Sequence, residues 1–234
     1  MPTRPVLQPP AFEDVAENPE YTMLEEVANA VTHGIGALLS IAGLIALVML
    51  AAVGGEVRDV VCLGLYGATL VLLYLVSTLY HCAPPGRIKR VLRLCDHAAI
   101  FLLIAGTYTP YTLLVLGGFW GWLLFGVVWS VAAFGVVFKV LCLHRGYARL
   151  SVALYLGLGW IGVIAVGPII EAMDGTGVML LAVGGLAYTG GVAFYAWRSL
   201  PYNHAVWHLF VLTGSLCHFL SIYYYVAPGG GPTV

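Results

Sequence analysis

Seven runs of about twenty residues each carry almost unbroken apolar side chains, and polar positions are confined to the ends of the runs. Leu, Val, Ala and Gly fill them, with none of the strict alternation over about ten residues that a membrane β-strand shows. Their length is what a helix needs to cross roughly 30 Å of hydrocarbon, where a lipid-exposed backbone must satisfy its own hydrogen bonds. The pattern predicts an all-α, seven-transmembrane helix bundle with spans near 30–53, 60–80, 95–116, 119–143, 150–170, 178–197 and 205–226. Residues 1–23 hold Pro2, Pro5, Pro9, Pro10, Glu13, Asp14, Glu17 and Glu20 without an apolar core, which reads as a disordered polar tail and not as a cleavable leader. At the other end, Ala227-Pro228-Gly229-Gly230-Gly231-Pro232 cannot continue a helix. The chain therefore divides into a tail at 1–23, one transmembrane domain at 24–226 and a short tail at 227–234.

Composition agrees, with 61% hydrophobic residues and 9% charged. Arginine and lysine in short loops collect on the cytoplasmic side. Arg4, Arg87, Lys89, Arg90, Arg93, Lys139, Arg145, Arg149 and Arg198 fall on the side of the amino terminus, whereas only Arg58 falls on the other. The expected orientation has the amino terminus in the cytoplasm and the carboxyl terminus outside. Lys139, about one turn inside its span, reads as a lysine extending its stem toward the headgroups. Trp120, Trp122 and Tyr223-Tyr224-Tyr225 read as interfacial anchors at the outer ends. A formal net charge of -1 leaves no basic face for nucleic acid, which is excluded as a partner. Cys62, Cys82, Cys95, Cys142 and Cys217 have no paired spacing and are expected to be free thiols.

Candidate chemistry gathers at the inner ends of the spans. Asp96 is the acidic residue nearest the hydrocarbon after Glu26, and a carboxylate there needs a partner or a use. His81 ends the second span, with Ser77 one turn earlier on the same face. His204 and His208 open the seventh span at i, i+4, the spacing by which two imidazoles grip one ion from a single helix. Three histidines and an open position make the composition of a catalytic zinc site. Asp96 would then take a proton from water or orient an imidazole. Taken singly, each histidine reads as an ordinary interfacial residue; the pairing with a third histidine and a carboxylate at one depth favours metal. His97 reads as a loop-facing neighbour, His144 as solvated, and Cys82 and Cys95 as packing. His218 lies roughly 15 Å deeper than His208, too far to share its ion, and reads as an interhelical hydrogen-bond donor. Glu26, Asn29 and His33 share one face of the first helix. They either support the metal site, receive a substrate, or stitch the helix to its neighbours, the last being the simplest reading.

Three motifs carry a resemblance across about residues 24–226: Glu26-x-x-Asn29-x-x-Thr32-His33, Ser77-x-x-x-His81 followed by Asp96, and His204-x-x-x-His208. In these the chain resembles the progestin and adipoQ receptor superfamily, most closely its bacterial hemolysin III branch. The resemblance implies zinc held by His81, His204 and His208, with Asp96 beside it and Ser77 in support, in a bacterial inner membrane. It also implies zinc-dependent hydrolysis of lipid amides or esters of the ceramide type, with a membrane lipid as substrate. Two other readings stand beside it: a lipid-sensing, membrane-homeostasis protein without enzymatic activity, and a pore-forming cytolysin.

Overall fold

The computed structural model describes residues 21–142 and 148–229; the tail at 1–20, the Cys142 side chain, His144 and residues 230–234 lie outside them. Eight α-helices build seven spans: α1 (Met23–Gly54), α2 (Val57–Cys82), α3 (Arg87–Pro110), α4 (Gly118–Cys142), α5 (Ala148–Trp160), α6 (Val166–Ala172), α7 (Gly175–Ala196) and α8 (Asn203–Tyr225). Seven helical stretches are long and apolar enough to cross a membrane, and no strand occurs among the described residues. The chain is an integral membrane protein of the predicted class.

Burial is inverted relative to a water-soluble bundle. On α1, the buried face runs through Asn29, His33, Ala37, Ser40, Leu47 and Ala51, while Val31, Ile35, Leu38, Ile45 and Met49 are exposed. Apolar exposure of this kind is a lipid-facing surface, so polar side chains turn inward to find partners. Helices approach closely where a side chain is missing: a Cβ at Gly36 would stand 2.5 Å from the Tyr74 ring, and one at Gly67 would stand 2.6 Å from Leu44. In the middle of the bundle, Tyr74 donates to Ser215 Oγ at 2.7 Å and Tyr188 OH lies 2.7 Å from that same oxygen, joining α2, α7 and α8.

The ends of the helices differ from expectation in ways that set the site. α1 begins at Met23, capped reciprocally by Thr22 and Glu25, with the Glu25 amide donating to Thr22 Oγ1 at 3.3 Å and the Thr22 amide to Glu25 Oε2 at 2.9 Å. Glu26 thereby lies inside the first turn instead of in a loop. α3 begins at Arg87, so Asp96 sits well inside a helix and not at its start. Basic residues at a membrane boundary leave the helical backbone bonds intact, and hydropathy alone marks such an end too late. At its far end α3 passes Pro110 into a π-helical turn over Tyr111–Leu116. Gly117 and Gly118, at φ 58° and 51°, then reverse the chain in a left-handed conformation that suits glycine.

The fifth span is broken. α5 gives way to a 3₁₀ segment, Ile161–Ala165, before α6. Pro168, which has no N–H, lies within α6. At the break, Tyr108 of α3 partners two backbone groups, its hydroxyl donating to the Gly159 carbonyl at 2.6 Å and accepting from the Gly162 amide at 2.7 Å. Irregular backbone at membrane depth persists where protein groups satisfy it in this way.

Candidate metal centre

His81, His204 and His208 converge although more than 120 positions separate the first from the second in the chain. One ring nitrogen from each lies within 4.8 Å of the other two. The rings are 3%, 9% and 2% exposed. α2 delivers His81 at its last turn, and α8 delivers His204 and His208 from its first two turns. The start of α8 is fixed by Tyr202, a non-glycine residue at φ 56°, whose amide donates to Glu25 Oε1 at 3.1 Å. A left-handed residue with a side chain costs energy and is kept where the surroundings hold it. Here the bond to Glu25 of α1 ties the start of α8 near His81 of α2.

The hydrogen bonds leave the right atoms free. His81 Nδ1 lies 2.6 Å from Glu26 Oε2, so an Nδ1–H donates to the carboxylate, and His81 Nε2 is buried without a hydrogen-bond partner. With its proton likewise on Nδ1, His208 donates to the Asn29 carbonyl at 3.2 Å, with Thr32 Oγ1 at 3.1 Å, which leaves its Nε2 lone pair unused. His204 Nδ1 is also buried without a partner. Imidazoles that bind metal through one nitrogen characteristically donate from the other to a carboxylate or carbonyl. His33 adds a fourth ring, stacked on His208 with centroids 3.4 Å apart and planes at 13°, and its Nδ1 lies 2.7 Å from Ser77 Oγ. It holds the plane of His208 and ties α1 to α2. Asp96, 7% exposed, faces Ser77 and His81 but lies outside the trio of nitrogens.

The donor set suits a divalent metal ion: three imidazoles with nitrogens this close can serve as ligands to one cation. Two buried nitrogens with no other partner give the fit its force, because such atoms are costly in hydrocarbon.

The profile of the family described as "Haemolysin-III related" matches residues 21–219. The chain belongs to this family. It is 44% identical over 204 residues to "Hemolysin-3" of Bacillus cereus, covering 87% of this chain and 93% of that one. It is 45% identical over 205 residues to "Hemolysin-3 homolog" of Bacillus subtilis (strain 168), covering 88% and 96%. A more distant relative is the human "Monocyte to macrophage differentiation factor", 28% identical over 216 residues, covering 88% and 86%.

Within this haemolysin-III-related chain the residues singled out from the sequence lie close together, with those of the first helix in contact with the histidines of α2 and α8. Glu26 bonds a histidine of the trio, the Asn29 carbonyl accepts from another, and His33 stacks on it. These contacts stitch α1 to α2 and α8 beside the histidine trio. His218 donates from Nε2 to the Leu181 carbonyl at 3.0 Å, as expected of an interhelical donor. Other readings need correction. Cys82 and Cys95 are exposed and not packed, while Cys62 is buried; these and Cys217 are free thiols. His97 faces inward, 3.5 Å from Lys139 Nζ, because α3 is already helical there. Lys139 is 8% exposed and does not reach for headgroups. Sequence reasoning missed Tyr21 altogether. Its ring lies 5.2 Å from that of His204 and 6.3 Å from that of His81, covering the cluster from the polar side, and burial raises its phenol pKa. An aromatic residue immediately before the capping Thr22 was the available signal, read as part of the tail.

The cluster opens into a cavity of about 320 Å³ between α3, α5, α7 and α8. His33, Asp96, His204 and His208 line its polar end; Leu103, Ile104, Val166 and Ile169 line the remainder. His208 and His218 both reach it, so it follows α8 for ten residues, roughly 15 Å.

Proposed function

We propose that this chain is a zinc-dependent intramembrane hydrolase of lipid amides or esters, ceramide-like in class, in the bacterial inner membrane with its amino terminus cytoplasmic. The observation that carries the reading is the trio of imidazole nitrogens within 4.8 Å of one another, two of whose rings, His204 and His208, line the polar end of a long, mainly apolar cavity together with the buried carboxylate of Asp96. Zinc supplies Lewis acidity toward a carbonyl and makes water acidic near neutral pH. His81, His204 and His208 hold it. Asp96 accepts the proton of the attacking water at a carboxylate oxygen and returns it to the leaving nitrogen or oxygen. Ser77 keeps that carboxylate in place and is itself fixed by His33. The apolar cavity wall receives an acyl chain and keeps bulk water out.

The relatives named hemolysin favour a second reading, cytolysis through a pore. A water-filled pore needs a polar lining, and the mainly apolar wall of this cavity supports a lipid chain instead. The deciding experiment incubates purified, zinc-loaded protein with lipid amides and esters and compares wild type with Asp96→Asn. Zinc-dependent turnover that disappears in the variant, with zinc still bound, is expected. Zinc and lipid binding without turnover would overturn the hydrolase and favour a lipid sensor; release of dye from liposomes by the pure protein would favour the pore.

A further inference from the structure

Lys139 stands on α4 with its side chain turned into the cavity wall that also carries Asp96, His97 and His204. At 8% exposure its ammonium has two close neighbours among the described residues: His97 Nδ1 at 3.5 Å and the face of Tyr155, whose centre is 5.8 Å away. Neither carries a negative charge. The imidazole offers one lone pair and the ring a diffuse attraction, against three N–H donors on the ammonium. Among the described residues the direct ion pairs are His81–Glu26 and Lys89–Glu26, so Asp96 acts on Lys139 only from a greater distance. A cation held inside a span without a close anion is costly, and such residues mark substrate paths.

The anion that belongs there is constrained by what surrounds it. Asp96 faces the same space, and its single negative charge repels a dianionic phosphate more strongly than a singly charged group, which is therefore favoured. Beyond Lys139 the wall is apolar, with Leu103, Ile104 and Val166, which suits a hydrocarbon chain attached to the charge. We propose, building on the hydrolase reading above, that Lys139 anchors the carboxylate of the long acyl chain that hydrolysis releases. Cleavage breaks the acyl C–N or C–O bond and forms a C–O bond to the water oxygen. One water proton leaves with the amine or alcohol; the other is lost from the acyl product, to the amine as an ammonium or, for an ester, to bulk water, and that product becomes a carboxylate anion. That product has a charge the uncleaved substrate lacked, and Lys139 is the cationic donor placed to receive it.

The test measures binding and needs no turnover. Full-length, zinc-loaded protein carries a fluorescent long-chain fatty acid, which is displaced by palmitate or by hexadecanol, the same chain without the charge, in wild type, Lys139→Met and Lys139→Arg. Wild type is expected to prefer the carboxylate by about tenfold or more, Lys139→Arg to keep most of that preference and Lys139→Met to lose it. Equal affinity for acid and alcohol in wild type overturns the proposal. So does a full preference in Lys139→Met, which would place the carboxylate on the metal. Should Lys139→Met fail to fold, Lys139→Gln, which also removes the charge, takes its place with the same expected loss and the same overturning result. A Lys139-dependent preference without any turnover would remove the hydrolase and leave the carboxylate site standing; turnover without the preference would do the reverse.

Discussion

Replacing Glu26 by glutamine removes one charge next to the metal cluster without changing the shape of the side chain. In the wild type, Glu26 Oε2 lies 2.6 Å from His81 Nδ1 and Oε1 lies 2.8 Å from Lys89 Nζ. The carboxylate fixes the ring of His81 and makes its Nε2 more basic, so Glu26→Gln weakens the ligand without deleting it. Loss of such a partner lowers metal affinity by about 10–100-fold, which is about 1.4–2.7 kcal/mol. Stability of the bundle should change much less, because Glu26 and Lys89 are 19% and 18% exposed and a pair of that kind contributes about 0–1 kcal/mol. Lys89→Ala is the control: it breaks the same ion pair but leaves the bond to His81. Zinc affinity is measured by competition with a chelator, and unfolding temperature is followed in parallel. A Glu26→Gln protein that folds normally and binds zinc within about twofold of wild type would refute the orienting role. Equal weakening in Lys89→Ala would assign the effect to net charge instead.

Two further expectations concern the bundle. Ser215→Ala leaves the Tyr188 hydroxyl without its partner and Tyr74 with only a long contact of 3.4 Å to the Val211 carbonyl, and should cost about 1–3 kcal/mol, seen as a lower Tm; an unchanged Tm would show that the pair is satisfied otherwise. Gly106→Ala drives a Cβ into Thr69 Oγ1 between α2 and α3 and should cost about 1–3 kcal/mol. Adding Thr69→Ala should recover much of the loss in Tm, and no recovery would mean that the collision is not with Thr69.

The spans were legible because hydropathy reports what touches lipid, and the metal trio because i, i+4 spacing and depth are properties of single helices. Contacts between helices were harder to read. That Glu26 would meet His81 depends on how α1 and α2 cross and on α1 beginning at Met23, inside what composition marks as a polar tail. Lys139 shows the same limit: whether a lysine one turn inside a span turns to headgroups or inward is set by the rotation of α4, which near-uniform apolarity leaves undetermined. The break in the fifth span had a visible cause in Gly162, Gly167 and Pro168, yet its tolerance rests on Tyr108 from another helix. Asn29 was singled out for its side chain, whereas its main-chain carbonyl makes the bond to His208.

If imidazoles from α2 and α8 share one metal ion, the metal content of the purified chain shows it most directly. Elemental analysis of the purified chain should find one zinc per chain in wild type and almost none in His204→Ala or His208→Ala, each checked for folding by its helical circular dichroism. Folded variants that keep the full zinc complement, or a folded wild-type chain that binds no divalent metal when supplied with it, would contradict the account.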